Sequence, residues 1–336
     1  MKNARNSNVE LLRFLMMAGI CIWHVLVHGL NYKSLGAAGG PAELPVIDAL
    51  LLVLLVPSTN TFMLISGYYG ITLTKKKLIA IVSPVYFYFF VGIIVQYIFT
   101  KEIGGGNFEY KNIVLRIEPV SCKAWWFITE YVTIMFLSPF INEGIKSMTI
   151  KKFKYILWGL LFINCFGLYW SREHTGSDLL NLLTIYLIGR YIKVTNANYK
   201  PKFSFVIWFI PTIILFAIVL VCSKFSLSHT FLTLNYCNPL IILQSLGIFL
   251  FVVVIRENRS AVCNSLGAHS LSIYLITESI GYTTGLYKNL AAIYKEYNIV
   301  VCLSAVLMAS FLCIIVDICR RGLFVMLEQM IRKKSV

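Results

Sequence analysis

Long apolar stretches follow one another along almost the whole chain, and each is close to the length of a bilayer-spanning helix. About twenty apolar residues in a helix cross the roughly 30 Å hydrocarbon core of a membrane. The segments lie at residues 9–29, 46–70, 78–99, 124–145, 153–170, 178–193, 203–223, 236–255, 266–287 and 298–319. Lipid offers no partner to open backbone groups, so such segments fold as helices. The pattern predicts an all-α, polytopic transmembrane helix bundle of about ten spans.

The composition leaves little room for structure outside a membrane. Hydrophobic residues make up 58% of the 336 residues and charged residues only 13%, a balance that excludes an ordinary soluble domain. No connection between the apolar segments is long enough for a separate domain, and no internal repeat is visible. We therefore interpret residues 1–336 as one integral-membrane domain.

Two of the segments depart from a plain apolar helix. The sequence Pro-Ser-Thr-Asn-Thr at residues 57–61 interrupts the second, and the sixth, residues 178–193, is short. Broken helices are tolerated at membrane depth where they line a cavity inside the protein. Both segments are therefore candidates for the wall of such a cavity.

The basic residues orient the bundle. The formal net charge is +15, but the cations fall in short clusters between apolar segments, which argues against a nucleic-acid partner. Of the thirty Lys and Arg residues, twenty lie on the side that holds both termini, nine lie opposite, and Arg13 lies within the first segment. Because Lys and Arg are retained on the cytoplasmic side, both termini are predicted to be cytoplasmic.

The first segment carries two ionisable residues on one face. Arg13 and His24 are eleven residues apart, which in a helix is about 20° beyond three turns and about 16 Å along the axis. Ionisable side chains within a span are costly and usually functional. The predicted orientation puts Arg13 at the cytoplasmic end and His24 beyond the middle of the membrane.

Two further polar residues share this segment and allow more than one interpretation. Glu10 can pair with Arg13 near the interface, and His28, four residues after His24, can be wetted at the surface. Two histidines four residues apart can also hold a metal ion, but no third ligand is in sight, and we predict no metal site. A structural role explains Glu10 and His28 well, but His24 needs a partner or water.

Polar and aromatic residues at the ends of other segments complete the candidates. Glu130 enters the fourth segment just after Trp126, and its carboxylate can pair with His24 or Arg13, or reach water. Trp126 suits the membrane interface. Ser66 and Gly67 end the second segment, where small residues permit close helix packing.

Four short motifs, in order along the chain, resemble the signatures of the integral-membrane acyltransferase family 3. They are Arg13 followed after ten residues by His24, then FMLISGY at 62–68, WWF at 125–127 and SLSIYL at 270–275. Each motif alone is short and apolar. Their order, their spacing and about ten spans together make the resemblance specific, and it covers nearly the whole chain.

The resemblance implies a plasma-membrane enzyme that moves an acyl group, usually acetyl, from cytoplasmic acyl-CoA to a sugar hydroxyl. The acceptor is a surface or secreted polysaccharide or its lipid-linked precursor. Acetyl-CoA is then a co-substrate, and no permanently bound cofactor is expected. His24 corresponds to the family's catalytic histidine and Arg13 to its partnered arginine. Acyl-CoA, the glycan acceptor and the lipid bilayer are the implied partners.

The chain departs from the family pattern at two places. An arginine pair that often follows the second span is replaced by Lys75, Lys76 and Lys77, which bind a phosphate as point charges instead of through a bidentate fork. Where the family has the sequence Tyr-Leu-Ile-His, this chain has Tyr-Leu-Ile-Thr at residues 274–277, followed by Glu278. Thr277 thus stands in place of the family's second histidine, whose role is absent or reassigned.

These residues support a hypothesis for the chemistry. A neutral imidazole can take the proton of an attacking hydroxyl at neutral pH, and His24 is the intramembrane histidine placed to do so. Glu130 is predicted to orient it, as carboxylates orient other catalytic imidazoles. Arg13 and the three lysines are predicted to bind the CoA phosphates. The residues expected to contact the acceptor are His28, Asn60, Ser66 and Trp126.

Two other functions fit parts of the same pattern. A transporter or flippase for a glycan-related substrate would use the buried ions as a relay and the interrupted second segment as its discontinuous helix. The lack of repeat symmetry argues against it. A scaffolding subunit of a polysaccharide assembly complex would have no activity of its own.

Overall fold

A computed structural model describes residues 6–35, 41, 43–100, 118–170, 175–196, 199–225, 234–279 and 283–334. This part of the chain is helical and contains no strand. The α-helices are α1 (Ser7–His24), α2 (Val46–Leu55), α3 (Ser58–Tyr69), α4 (Lys75–Thr100), α5 (Trp126–Ser147), α6 (Ile150–Trp170), α7 (Leu179–Thr195), α8 (Pro201–Lys224), α9 (Pro239–Val254), α10 (Ala261–Thr277), α11 (Thr283–Glu296) and α12 (Ile299–Lys334). The all-α prediction is confirmed for these residues.

Helices occupy all ten predicted segments, but not all of them have the length and composition of a span. Within the described residues, five helical segments are long and apolar enough to cross a membrane. They are Ser7–Gly29, Val46–Tyr69, Lys75–Val95, Pro201–Lys224 and Ile299–Met330. The chain is therefore a helical membrane protein, while ten crossings and cytoplasmic termini stay predictions.

The second segment is broken where the sequence predicts. Pro57 lies between α2 and α3 and has no N–H to continue the helix. The carbonyl of Pro57 accepts hydrogen bonds from the hydroxyls of Thr61 (2.8 Å) and Ser245 (3.2 Å). The carbonyl of Val53 accepts one from the Gln244 amide at 3.3 Å. The Gln244 amide thus replaces the donor that Pro57 lacks, while the Pro57 carbonyl keeps its helical bond from the Thr61 N–H at 2.9 Å. Most of the segment is buried.

The predicted ninth span is wrong in its second half. A single helix over 266–287 was expected, but α10 ends at Thr277 and α11 begins at Thr283. The polar residues Glu278 and Ser279 interrupt the apolar run at this point. Helix α11 is amphipathic: Tyr287, Leu290 and Ala291 are buried on one face, whereas Lys288 is exposed. It packs across the carboxyl end of α1 rather than continuing the line of α10.

Helices α1 and α10 lie side by side and run in the same direction. At their amino ends the Ser7 hydroxyl donates to Asn264 Oδ1 at 2.9 Å, and the Ser260 N–H donates to Ser7 Oγ at 2.8 Å. One or two turns further on, Gly267 lies so close to α1 that a Cβ there would be 2.6 Å from the Glu10 carbonyl oxygen. The missing side chain of Gly267 therefore sets the distance between the two helices.

A buried carboxylate joins three helices, α4, α10 and α12, and it contacts α10 at His269. Asp317, 2% exposed on α12, accepts hydrogen bonds from the Tyr88 hydroxyl of α4 (2.9 Å) and the Arg320 Nε (2.8 Å). It also contacts His269 Nδ1 on α10 at 2.7 Å and Arg321 Nε at 3.0 Å. Because every partner donates to one charge, this cluster ties α4, α10 and α12 together.

Removing the Asp317 carboxylate should destabilise the bundle. The change Asp317→Ala leaves two guanidinium groups without their shared anion, and we expect it to lower the free energy of unfolding by about 3 kcal/mol. Thermal unfolding of the detergent-solubilised protein measures this. The control is Glu143→Ala, which breaks an exposed pair with Lys146 (75% and 73% exposed) and should cost less than about 1 kcal/mol. Equal effects of the two changes would contradict the structural role.

Candidate active site

One face of α1 carries Arg13 toward its amino end and lines an aromatic pocket toward its carboxyl end. Met17, Ile20 and His24 recur at helical spacing and line the pocket, and Arg13 lies one turn further toward the amino end. The helix is unbroken from Ser7 to His24, so a rise of about 1.5 Å per residue separates Arg13 from His24 by about 16 Å. The predicted spacing on one helix is confirmed.

The pocket is concave and mostly aromatic. It is a cleft lined by Met17, Ile20, His24, Thr59, Phe62, Trp126, Phe127, Tyr236 and Tyr274. Four helices, α1, α3, α5 and α10, and the residues before α9 contribute to this wall. Apolar walls with a few polar groups are typical of small-molecule sites, in which the polar groups fix the orientation of the ligand.

His24 is held by a carboxylate and a phenol from two other helical elements. Its Nδ1 forms an ion-pair contact with Glu278 Oε1, at the end of α10. The Tyr287 hydroxyl of α11 donates to the same oxygen and lies 3.4 Å from His24 Nδ1. The side chains of His24 and Glu278 are only 13% and 18% exposed. With Nδ1 engaged in this way, Nε2 is the ring nitrogen left for the pocket.

Local backbone structure explains how Tyr287 reaches His24. Directly after His24 the chain makes a π-helical turn, Val25–Gly29, and the Leu30 N–H bonds the Val25 carbonyl at 2.9 Å. Helix α11 crosses this turn so closely that a Cβ on Gly29 would be 2.4 Å from the Tyr287 carbonyl oxygen. Single π-helical turns are frequent at functional sites. Here the turn and its glycine bring α11 against the histidine.

The carboxylate that orients His24 is Glu278, and the prediction of Glu130 for this role is wrong. Glu130 is buried but lies on α5 and pairs with the Lys123 ammonium at 3.0 Å. Glu130 thus pairs with a residue only seven positions earlier in the chain. Glu278, in contrast, is the first residue after α10 and contacts His24 of α1. Any other part for Glu130 in the reaction stays a prediction.

Asn60 does not face the pocket, so its prediction as a substrate contact is wrong. Its side chain is completely buried and donates to the Tyr236 carbonyl at 2.8 Å. Its own oxygen accepts from Asn181 Nδ2 at 3.2 Å, and Asn181 in turn accepts from Asn164 Nδ2 at 2.9 Å. Because these partners occupy its amide, Asn60 holds the backbone of Tyr236 in the pocket wall.

Trp126 forms that wall together with Tyr236. Their rings are stacked, with centroids 5.8 Å apart and an interplanar angle of 23°, and both residues line the pocket. Trp126 therefore lies in the wall of the same pocket as His24, and its contact with a substrate stays a prediction. Such flat aromatic faces offer a large contact area at little entropic cost.

The remaining predicted contacts lie around the pocket rather than in its wall. The ring of His28 is 5.2 Å from that of His24 and its side chain is exposed. Ser66 donates to the Phe62 carbonyl at 3.2 Å and also bonds Tyr131, one turn further from the pocket. Their roles in binding substrate stay predictions. Within the described residues, no group of three or more His, Cys, Asp or Glu side chains is arranged to hold a metal ion.

The cationic candidates lie away from His24. The Arg13 guanidinium is 5.8 Å from the centre of the Phe62 ring, and no ion pair joins it to Glu10 among the described residues. The three lysines at positions 75–77 are exposed in the first turn of α4, where Lys77 donates to the Thr72 hydroxyl. Phosphate binding by these cations stays a prediction.

Thr277 does not replace the missing histidine in the site. Its hydroxyl donates to the Ile273 carbonyl at 2.8 Å and lies 3.4 Å from Cys21 Sγ, one turn below His24. The next residue, Glu278, carries the polar contact with α1. From the sequence, the role of the family histidine was absent or reassigned, and the contact of the next residue, Glu278, with His24 was not predicted.

Tyr287 and Tyr236 were missed by sequence reasoning. Tyr287 was assigned to the end of a continuous ninth span, where a tyrosine suits the interface. The sequence signal that was available is Glu278, since a carboxylate inside an apolar segment needs a donor. Nothing in the sequence places Tyr236 against Trp126, because the two are far apart in the chain.

Comparison with known proteins adds one finding to this geometry. The model of a family described as an acyltransferase domain matches residues 6–319, nearly the whole chain. No curated protein and no solved structure matches the chain. The matched region includes both partners of His24 and every residue that lines the pocket.

The change Asn60→Leu should weaken the pocket wall. It removes the donor to the Tyr236 carbonyl and one acceptor of the Asn181 amide, which keeps its bond to the Gly176 carbonyl, and we expect a loss of about 2 kcal/mol or more in the free energy of unfolding. Thermal unfolding followed by near-ultraviolet circular dichroism reports stability and aromatic packing together. The control is Thr133→Val, because the Thr133 hydroxyl bonds only the Thr129 carbonyl of its own helix (2.9 Å). A transition temperature unchanged by Asn60→Leu would contradict the role of the amide chain.

Proposed function

The chain belongs to the integral-membrane acyltransferase family 3, and we propose that it O-acylates a sugar at the plasma membrane. The donor is cytoplasmic acyl-CoA, with acetyl the commonest acyl group. The acceptor is a hydroxyl of a surface or secreted polysaccharide or of its lipid-linked precursor. The observation that carries this proposal is His24, which lines an aromatic pocket while Glu278 holds its Nδ1.

His24 acts as the general base in this reaction. Its Nε2 takes the proton of the sugar hydroxyl as that oxygen attacks the carbonyl carbon of the thioester. Collapse of the tetrahedral intermediate breaks the carbon–sulfur bond, and the departing thiolate recovers the proton from the imidazolium. Glu278 stabilises the imidazolium and fixes the tautomer, as the carboxylate of a catalytic triad does. Tyr287 holds the carboxylate in place.

The residues between Arg13 and His24 fit the path of the donor. Phe62 contacts both ends: its ring faces the Arg13 guanidinium at 5.8 Å and it lines the pocket. Met17 and Ile20 form the α1 side of the same path. An extended pantetheine arm can follow this apolar surface over the roughly 16 Å between the two residues. The phosphates then stay at the cytoplasmic end while the thioester meets His24.

The stacked rings of Trp126 and Tyr236 support a ring-shaped acceptor. A sugar ring presents a flat face of C–H groups that packs against aromatic rings, and its hydroxyls project from the edge. His24 lies in the wall of the same pocket as the stacked rings. One hydroxyl of a sugar placed there would lie against Nε2.

The orientation proposed for the bundle is ten crossings with both termini in the cytoplasm. Two observations support it: the charge asymmetry of the connections and the parallel packing of α1 with α10. Parallel neighbours must cross the membrane in the same direction, as the first and ninth of ten spans do. The aromatic pocket then lies toward the outer face, and Arg13 lies toward the cytoplasm.

Loss of either member of the His24–Glu278 pair should abolish most of the transfer. Acyl transfer by purified protein from radiolabelled acetyl-CoA to a saccharide acceptor is the measurement. We expect His24→Ala to reduce the rate by a factor of about 100 or more, because it removes the base. Glu278→Gln should reduce it by a factor of about 10 or more, because the imidazolium loses its counter-charge.

Glu130→Gln tests the rival carboxylate in the same assay. A larger loss in this variant than in Glu278→Gln would overturn the assignment of Glu278. Full turnover by His24→Ala would overturn the mechanism. Movement of the saccharide across a vesicle membrane without acylation would favour a transporter instead.

Thiol labelling of intact cells tests the orientation. Cys122 is exposed, just before α5 on the side assigned to the outer face. A membrane-impermeant maleimide should label it, and Cys122→Ser should remove the signal. In that background Lys146→Cys, at the other end of α5 and 73% exposed, should be labelled only after the membrane is opened. The reverse pattern would invert the proposed topology.

A further inference from the structure

A second arginine lies near the cytoplasmic end of the donor path. Arg190, in the last turns of α7, has a buried Nε with no hydrogen-bond partner among the residues that the structure describes. No carboxylate of those residues forms an ion pair with it. A partly buried guanidinium without an anion is unfavourable, so this side chain is placed for a ligand that brings one.

The backbone beside Arg190 leaves space for its guanidinium group. Gly70, which ends α3, has a φ of +80°, and a Cβ there would be 2.9 Å from Arg190 Nη1. The Ile71 N–H that follows donates to the Tyr186 hydroxyl at 3.2 Å. The Ile71 carbonyl accepts from the Asn142 amide at 2.9 Å. Contacts from α7 and α5 thus fix this turn, and the glycine supplies both its conformation and its space.

Arg13 also contacts α3, where its guanidinium is 5.8 Å from the centre of the Phe62 ring. It interacts electrostatically with Tyr69, which precedes Gly70 and on which Glu10 and Glu257 also act, and with Tyr131 of α5. Its Nε is also buried without a hydrogen-bond partner among the described residues. Guanidinium groups from α1 and α7 therefore both contact α3 or the turn that ends it, and neither forms an ion pair with a carboxylate in the described part of the chain.

We propose that Arg190 and Arg13 together bind the phosphates of the donor nucleotide, with Gly70 leaving room for the Arg190 guanidinium. The proposal rests on the proposed function and assigns Arg190 a role in binding the donor. A guanidinium binds phosphate oxygens through two parallel hydrogen bonds. Arginine at both positions therefore supplies the bidentate contact that Lys75, Lys76 and Lys77 do not.

The position along the path agrees with the length of such a donor. Gly70 lies eight residues after Phe62 on α3, which is about 12 Å further from the pocket. Phosphates near Gly70 and a thioester at His24 are then separated by an extended arm that passes Phe62. The two ends of one molecule would reach both sites at once.

The test compares two donors that differ in their phosphates. Arg190→Gln should raise the KM for acetyl-CoA by a factor of about 10 or more, while the KM for acetyl-pantetheine, which has no phosphate, should stay unchanged. Arg190→Lys should fall between wild type and Arg190→Gln, since it keeps the charge but not the fork. The matched control is Lys193→Gln, one turn along α7, whose ammonium already faces the Tyr68 ring at 4.8 Å. It should leave both KM values unchanged.

Three results would overturn the proposal. They are an unchanged KM for acetyl-CoA in Arg190→Gln, an equal rise with acetyl-pantetheine, and an equal rise in Lys193→Gln. Binding of adenosine 3′,5′-bisphosphate to the full-length His24→Ala protein, measured by calorimetry, separates this proposal from the proposed function. If wild type transfers no acyl group but Arg190→Gln still weakens this binding by a factor of about 10, only the proposed reaction fails. If wild type transfers and Arg190→Gln binds normally, only the phosphate site fails.

Discussion

The close parallel packing of α1 against α10 is the contact on which the site depends. Gly267 allows the two helices to approach to backbone distance at their amino ends, and Ser7 ties the same ends together by hydrogen bonds. Once the helices are in register there, Glu278 arrives opposite His24 at the far end. A polar contact in a low-dielectric interior is strong only when its geometry is good. Here the close packing of the α1 and α10 backbones sets the geometry, and the side chains of His24 and Glu278 then form the contact.

The two ionisable groups on α1 are compensated in different ways. His24 is matched by a carboxylate within the protein, so its ring has a fixed orientation before any substrate arrives. Arg13 faces the ring of Phe62, which does not neutralise its charge, and it forms no ion pair among the described residues. One end of the helix is therefore oriented by a partner within the protein. Under the proposed function, the other end receives its counter-charge from the donor, which would couple donor binding to the energetics of the fold.

The sequence predicts the parts of this structure that depend on local pattern. Hydrophobic length placed the helices, Pro57 placed the break in the second segment, and helical spacing placed Arg13 and His24 on one helix. It does not predict contacts that depend on tertiary register. Glu130 was a reasonable partner for His24 by depth alone, but the choice between it and Glu278 is made by the packing of α1 on α10. The ninth segment was drawn too long because hydropathy cannot show where an apolar run changes direction.

The pairing of the first helix with one near the carboxyl terminus has a consequence for biosynthesis. Residues 7–24 enter the membrane more than two hundred residues before Glu278 and Tyr287 are synthesised. Throughout that interval His24 lacks the partners that orient it, and α1 lacks the neighbour that fixes its position. Contacts of such sequence separation form late because the intervening chain must first be ordered. The histidine acquires its partners only when the last quarter of the chain is in place, so a shortened chain ending before α10 keeps His24 but not the contacts that orient it.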